Sequence, residues 1–165
     1  MLVDDISVKT TRVTLLFIIE GQRILLAEKK RGWRAGIFNG IGGKVDEGET
    51  FESAMIRETQ EEIGVTPTKF DKVAVLDFDV YFKGELGHLH CHTFVATEYD
   101  GVPVETDEMR PQWFDFAEIP YGQMWSDDIH WLPKVLAGEK LKCYFAFDKD
   151  NQIISQKIDV VEGFN

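Results

Sequence analysis

One run of residues restricts this chain more than any other: Gly43 to Val65, GKVDEGETFESAMIRETQEEIGV. Within it, Arg57-Glu58-Thr59-Gln60-Glu61-Glu62 places three carboxylates inside five consecutive positions. The pattern predicts a helix over about Phe51 to Ile63, with Thr50 as N-cap and Gly64 at the left-handed C-cap position. On such a helix Glu58, Glu61 and Glu62 stand at i, i+3 and i+4 and project from one face. Like charges that close destabilise an isolated helix, so the face calls for a compensating cation. A hard divalent ion such as Mg2+ prefers carboxylate oxygens and is usually held together with substrate phosphates. Gly42-Gly43 allows a tight backbone approach just before the helix. Clustered acidic residues are more often merely solvated, but the spacing of the residues flanking these argues for chemistry.

Gly43, Glu49, Arg57, Glu58, Glu61, Glu62, Gly64 and Val65, at these separations, resemble the Nudix box of the Nudix hydrolases. One position departs: Thr59 stands where that family usually carries an aliphatic residue that packs inward. The resemblance implies an α/β/α sandwich with a mixed β-sheet between helices. It also implies Mg2+, with Mn2+ as a substitute, held by Glu58, Glu61, Glu62, the distant Glu108 and the backbone carbonyl of Gly42. Arg57 takes a supporting role, gripping Glu49 or Glu61 through a bidentate pair. Glu58, Glu61, Glu62 and Arg57 are thereby the expected catalytic set.

The 165 residues suit one compact domain spanning the whole chain, with residues 1–10 a loose lead-in or an edge strand. A formal charge of -11 argues against a protein that grips nucleic-acid polymers, because phosphate backbones call for clustered Lys and Arg. It leaves room for a nucleotide, since a bound metal supplies positive charge locally. Cys91 and Cys143 make no disulfide framework, which suits a reducing compartment. The N-terminus has no apolar run of signal-peptide type, and no segment approaches membrane-spanning length. A monomeric, cytoplasmic protein with a small-molecule nucleotide substrate and no membrane partner is the expectation.

Apolar and β-branched runs predict strands at Val13–Ile19, Arg23–Glu28, Lys72–Phe82, Gly87–Thr97, Gln112–Asp115, Lys142–Phe147 and Ile153–Val160. A turn containing Gly84 joins the third and fourth of these as a hairpin. Lys29–Gly36 reads as a basic, glycine-bearing loop. Asp127 or Asp128 is placed to cap a helix running towards Ala137, with Pro133 marking a late start or a bent first turn.

Beyond the box, four segments narrow the likeness: Lys29–Gly32, Phe38–Lys44, Pro103–Pro111 and Met124–Asp128. Together they resemble the oxidised purine nucleoside triphosphatases, the MutT-homologue subgroup that cleaves 8-oxo-dGTP and 2-hydroxy-dATP, over roughly Thr11 to Val160. The resemblance implies that Asn39, Asp127 and Asp128 bond the base edge and that Trp125 stacks on it. It assigns Thr14, Lys29, Trp33 and Phe78 to the pocket lining. Trp125 and Trp131 flank the Asp127-Asp128 pair, so two large rings and two carboxyls meet in one short segment. A carboxyl walled by tryptophans favours its neutral form. A protonated Asp donates to a purine carbonyl while its ionised neighbour accepts from a ring N–H or an amine. Exchanging the proton between them would admit both oxidised guanine and oxidised adenine.

Alternation puts His88, His90 and His92 on one side of a strand, where zinc ligation is weighed against an ordinary polar, solvent-facing surface, and the latter is favoured. The resulting expectation is a Mg2+-dependent pyrophosphohydrolase that removes damaged nucleotides. Its rivals are a related enzyme for another modified nucleotide and a non-catalytic ligand sensor.

Overall fold

The computed structural model describes residues 9–164, so the expected lead-in falls outside the described residues except for Lys9 and Thr10. Among them run strands β1 (Thr10–Glu20), β2 (Arg23–Lys29), β3 (Phe38–Asn39) and β4 (Ile41–Lys44), then helix α1 (Phe51–Ile63). Strands β5 (Thr66–Phe82), β6 (Glu85–Asp100) and β7 (Met109–Asp115) follow, then helix α2 (Asp128–Leu136) and strands β8 (Lys140–Phe147) and β9 (Ile153–Val161). The sheet order is β3-β2-β1-β6-β5-β8-β9, with β4 paired to β1 and β7 to β2. The β1/β6 and β5/β8 pairs are parallel and the others antiparallel, so the sheet is mixed.

Strand alternation divides the core into two layers. Leu16, Ile18, Leu25, Ile41 and Phe94 pack with Met55 and Ile63 of α1. Phe17, Ile24, Leu26, Cys91 and Phe145 pack with Trp131, Leu132 and Val135 of α2. A sheet covered by a helix on each face is the expected α/β/α arrangement. Cys91 and Cys143 are free, buried thiols. Among the described residues no helix is long and apolar enough to cross a membrane.

Helix α1 has the predicted bounds. Thr50 Oγ1 accepts from the Ser53 N–H at 3.0 Å, and Gly64 closes the helix at φ 73° while its N–H reaches the Gln60 carbonyl. Thr59 is buried at the aliphatic position and donates its hydroxyl to the Met55 carbonyl at 2.7 Å, which satisfies the polar atom inside the core.

Three expectations need correction. β5 begins at Thr66 rather than Lys72, because Pro67 and three register shifts, at Pro67/Lys69, Lys69/Phe70 and Lys72/Ala74, break the alternation that marks a strand. Asp127 does not cap α2 with its side chain, and Asp128 is the first helical residue. Pro133 sits inside the helix rather than near a late start, in a helix short enough that one lost bond is tolerated.

Candidate active site

The box helix delivers its carboxylates to one place through Arg57. Its Nε and Nη2 grip the two oxygens of Glu49, each at 2.8 Å, while Nη1 donates to Glu58 at 2.9 Å and to Glu61 at 3.2 Å. Nη2 also reaches the Lys44 carbonyl at 3.1 Å, tying α1 to the end of β4. This fork holds the Glu49 carboxyl down to about 2. Gly43 makes the room: a Cβ there would lie 2.5 Å from Glu58 Oε2. Gly42 crosses β1 so closely that a Cβ would fall 2.7 Å from the carbonyl carbon of Thr14 and nearer still to its oxygen.

Glu62 is half-buried, with its Oε2 sealed from solvent. Burial, with the Glu58 charge next, pushes its carboxyl up to about 8, against a smaller opposing pull from the Gly42 backbone. Its Oε2 has no hydrogen-bond partner. Burial also raises Glu58, opposed by Arg57. Glu108 stands just before β7, exposed, with its carboxylate 2.6 Å from Arg31 and held low by it. Thr106 links the two regions: its hydroxyl donates to the Glu62 carbonyl at 3.0 Å and accepts from the Glu108 N–H at 3.3 Å.

An orphaned, buried carboxylate oxygen beside further carboxylates has the donor chemistry of a hard divalent cation. Glu58, Glu61, Glu62 and Glu108 therefore fit one, although Arg57 and Arg31 engage three of them. Among the described residues no three His, Cys, Asp or Glu side chains form a finished ligand cluster.

On the other side of Gly42 and Gly43 opens a cavity of about 600 Å3. Its lining includes Thr14, Lys29, Trp33, Asn39, Phe78, Trp125, Asp127, Asp128 and Trp131, the full set expected to meet a base. Asp127 and Asp128 are each 3% exposed. Trp131 is fully buried, meets Phe17 edge-on, and donates Nε1–H to Asp127 Oδ2 at 2.7 Å. It thus acts here on Asp127. Asp128 Oδ2 has no partner, and burial together with the neighbouring Asp127 charge raises its carboxyl well above the usual range. Burial raises Asp127 too, against the Trp131 bond. Asn39 accepts the Gly40 N–H at 2.8 Å, Lys29 donates to the Trp33 carbonyl at 2.7 Å, and Phe78 stacks on Phe145.

The histidine strand is not the solvent-facing surface expected. β6 lies between β1 and β5, so His88, His90 and His92 are half-buried. His88 is bonded to Asp77 and Asp79, and His90 to Asp77 at 2.7 Å. His92 stacks on Phe51 of α1 with ring centroids 3.5 Å apart, and burial lowers it to about 4.

Residues 9–135 match the NUDIX domain. The chain belongs to the NUDIX family. It is 45% identical over 150 residues to an oxidized purine nucleoside triphosphate hydrolase of Danio rerio, covering 91% of this chain and 95% of the relative. The protein so named from Mus musculus is 40% identical over 151 residues, covering 92% and 96%. The crystal structure of a MutT mutator protein from Bacillus halodurans superposes with a TM-score of 0.77 at 25% identity, over 90% of this chain and 97% of that one.

Sequence reasoning overlooked four residues in this Nudix site. Arg31 reaches Glu108 only because β2 pairs with β7, and Thr106 reaches Glu62 only because the segment before β7 runs past the end of α1. Phe82, at the end of β5, meets Trp33 at 4.9 Å and helps form the mouth of the cavity. Arg34 places its guanidinium 4.5 Å over the Trp125 ring. The only sequence signal for the last was the basic character of its loop.

Proposed function

We propose that this protein hydrolyses oxidised purine nucleoside triphosphates, 8-oxo-dGTP and 2-hydroxy-dATP, to the monophosphate and pyrophosphate, and so clears damaged nucleotides. The observation that carries the substrate is the Asp127-Asp128 pair: two nearly sealed carboxyls lining a cavity that Trp125 also faces. Asp128, kept neutral by burial, donates to a base carbonyl, while Asp127, oriented by Trp131, accepts from a ring N–H or amine. Trp125 supplies the stacking face and Asn39 a further polar contact.

Glu58, Glu61, Glu62, Glu108 and the Gly42 carbonyl would hold Mg2+. When bound, it supplies neutralisation of the phosphates and a lowered pKa for a coordinated water. Arg57 keeps Glu58 and Glu61 aligned so that the triphosphate is presented for in-line attack. A carboxylate of the box, or a base beyond it, removes the proton of the attacking water. Kinetics on 8-oxo-dGTP, 2-hydroxy-dATP and dGTP with Mg2+ test the reading. Monophosphate and pyrophosphate, with kcat/KM favouring the oxidised bases, are expected. Equal turnover of all three would overturn the substrate, and no turnover would overturn the enzyme.

A further inference from the structure

Arg34 lies in the loop between β2 and β3, at φ 63°, with Gly32 at φ 86° and Gly36 at φ 90° on either side. Backbone bonds close the loop on Lys29, from the Gly36 N–H to the Lys29 carbonyl at 2.8 Å and from the Lys29 N–H to the Ile37 carbonyl at 3.0 Å. Lys29 Nζ adds a bond to the Trp33 carbonyl. This closure places the rings and cation of Trp33 and Arg34 against Trp125, at 5.2 and 4.5 Å.

The neighbouring cations of this loop are paired: Lys30 with Glu105 and Arg31 with Glu108, both at 2.6 Å. Among the described residues no carboxylate lies within ion-pair distance of Arg34, and its Nε is shut away without a hydrogen-bond partner. A guanidinium carries five N–H donors and no acceptor, so it calls for acceptor atoms. Among the described residues the protein supplies none there, in a chain with 29 acidic side chains against 18 Lys and Arg. Arg34 lines the cavity with its guanidinium over Trp125, the ring placed to stack on a base. The acceptor that reaches it is therefore on the base.

Resting on the substrate reading above, we propose that Arg34 is a specificity-determining residue that donates to the carbonyl oxygen oxidation adds to a purine ring. An undamaged purine offers a C–H at that position, which gives a guanidinium no acceptor. An entering base shares the Trp125 face with Arg34 or takes it over, and the cation moves from the ring onto the new oxygen. A charge-assisted bond offsets the cation–π contact it replaces.

The test is calorimetric binding of the product nucleotides 8-oxo-dGMP and dGMP to the wild type and to Arg34→Ala, Arg34→Gly and Arg34→Lys. The Ala and Gly variants are expected to lose about tenfold in affinity for 8-oxo-dGMP and less than twofold for dGMP, with Lys recovering part. Arg34→Gly also suits the left-handed backbone, so its melting temperature should equal or exceed that of the wild type while its selectivity falls. A brace for the loop would show the reverse, with stability lost and the ratio kept. Equal weakening of both nucleotides, or of neither, overturns the role of Arg34 and leaves the substrate reading intact. A wild type that does not distinguish the two nucleotides overturns that reading, and this inference with it.

Discussion

Gly42 and Gly43 are adjacent in β4, yet an alanine at each should fail in a different way. At Gly42 the new Cβ lands 2.7 Å from the Thr14 carbonyl carbon and 3.1 Å from the Leu15 Cα, both main-chain atoms of β1. Backbone cannot rotate aside as a side chain does. β4 must lift away, and it pairs with β1 from Val13↔Lys44 to Leu16↔Ile41. Losing that pairing and the fit of Ile41 should cost about 3–5 kcal/mol, the range for severe overpacking and core loss. At Gly43 the three atoms nearest the Cβ all belong to the Glu58 carboxyl, with Oε2 at 2.5 Å and Oε1 at 2.7 Å. That group rotates out for about 1 kcal/mol of rotamer strain, but leaves its bond to Arg57 Nη1 and the position proposed to hold a metal. A displacement of about 1 Å is enough to lower the rate about a hundredfold. Thermal unfolding and Mg2+-dependent kinetics with 8-oxo-dGTP separate the two. Gly42→Ala should melt far below the wild type. Gly43→Ala should melt within a few degrees of it, turn over about a hundredfold more slowly and require more Mg2+. A Gly43→Ala protein with wild-type kinetics would refute the claim that Gly43 makes room for a working carboxylate. A Gly42→Ala protein of wild-type stability would refute the close crossing of β4 over β1.

Asp128 is raised by burial, so its contribution is fully present below the unfolded pKa and is lost as pH rises towards the folded one. The wild type should therefore lose up to about 1.4 kcal/mol per pH unit across that window, and Asp128→Asn should melt progressively higher relative to it from pH 4 to 8. His92 is lowered from 6.5 to about 4, so its contribution is present above 6.5 and is lost as pH falls through that interval. His92→Phe keeps the stack on Phe51 and should gain on the order of 1 kcal/mol over the wild type between pH 6.5 and 4, a figure reduced for solvent screening, as read by denaturant titration at both ends. Arg57→Lys loses the fork on Glu49 and the alignment of Glu58, and its kcat/KM should fall about a hundredfold, with an increased Mg2+ requirement in a metal titration.

The box helix was legible because everything that makes it is local. Thr50, Gly64 and the acidic spacing lie within one short run, and each acts over a few residues. Even Thr59, an oddity in sequence, resolves locally through its bond to the carbonyl four residues back. What escaped depends on sheet order. β6 was read correctly as a strand, but nothing in its own residues says that it lies between β1 and β5. The histidine face was therefore assigned to water instead of to Asp77, Asp79 and Phe51. Arg31 meets Glu108 through the pairing of β2 with β7, elements about eighty residues apart, and Thr106 meets Glu62 where the segment before β7 passes the end of α1, 44 residues away. The left-handed turn at Arg34 was invisible for another reason: only a glycine or asparagine there would have announced it.

Both ends of the site rest on one device, an acidic side chain pressed towards neutrality by burial. Glu62 is pushed up to about 8 and Asp128 well above its usual range, and each keeps one oxygen without a partner. The difference lies in what enters. A divalent cation held at Glu62, as proposed, would oppose the effect of burial and favour the ionised carboxyl as its ligand. At Asp128 no cation among the described residues pairs with the carboxyl, so burial favours the proton, which in the proposed reading would be donated to a base carbonyl. Replacing each acid by its amide should therefore have opposite signatures. Glu62→Gln should abolish the response to Mg2+ while leaving 8-oxo-dGMP binding nearly unchanged. Asp128→Asn should leave the Mg2+ response and weaken whichever oxidised base needs that carboxyl in its ionised form. If both variants lost metal response and base binding together, the two ends would not be independent and this division of labour would be wrong.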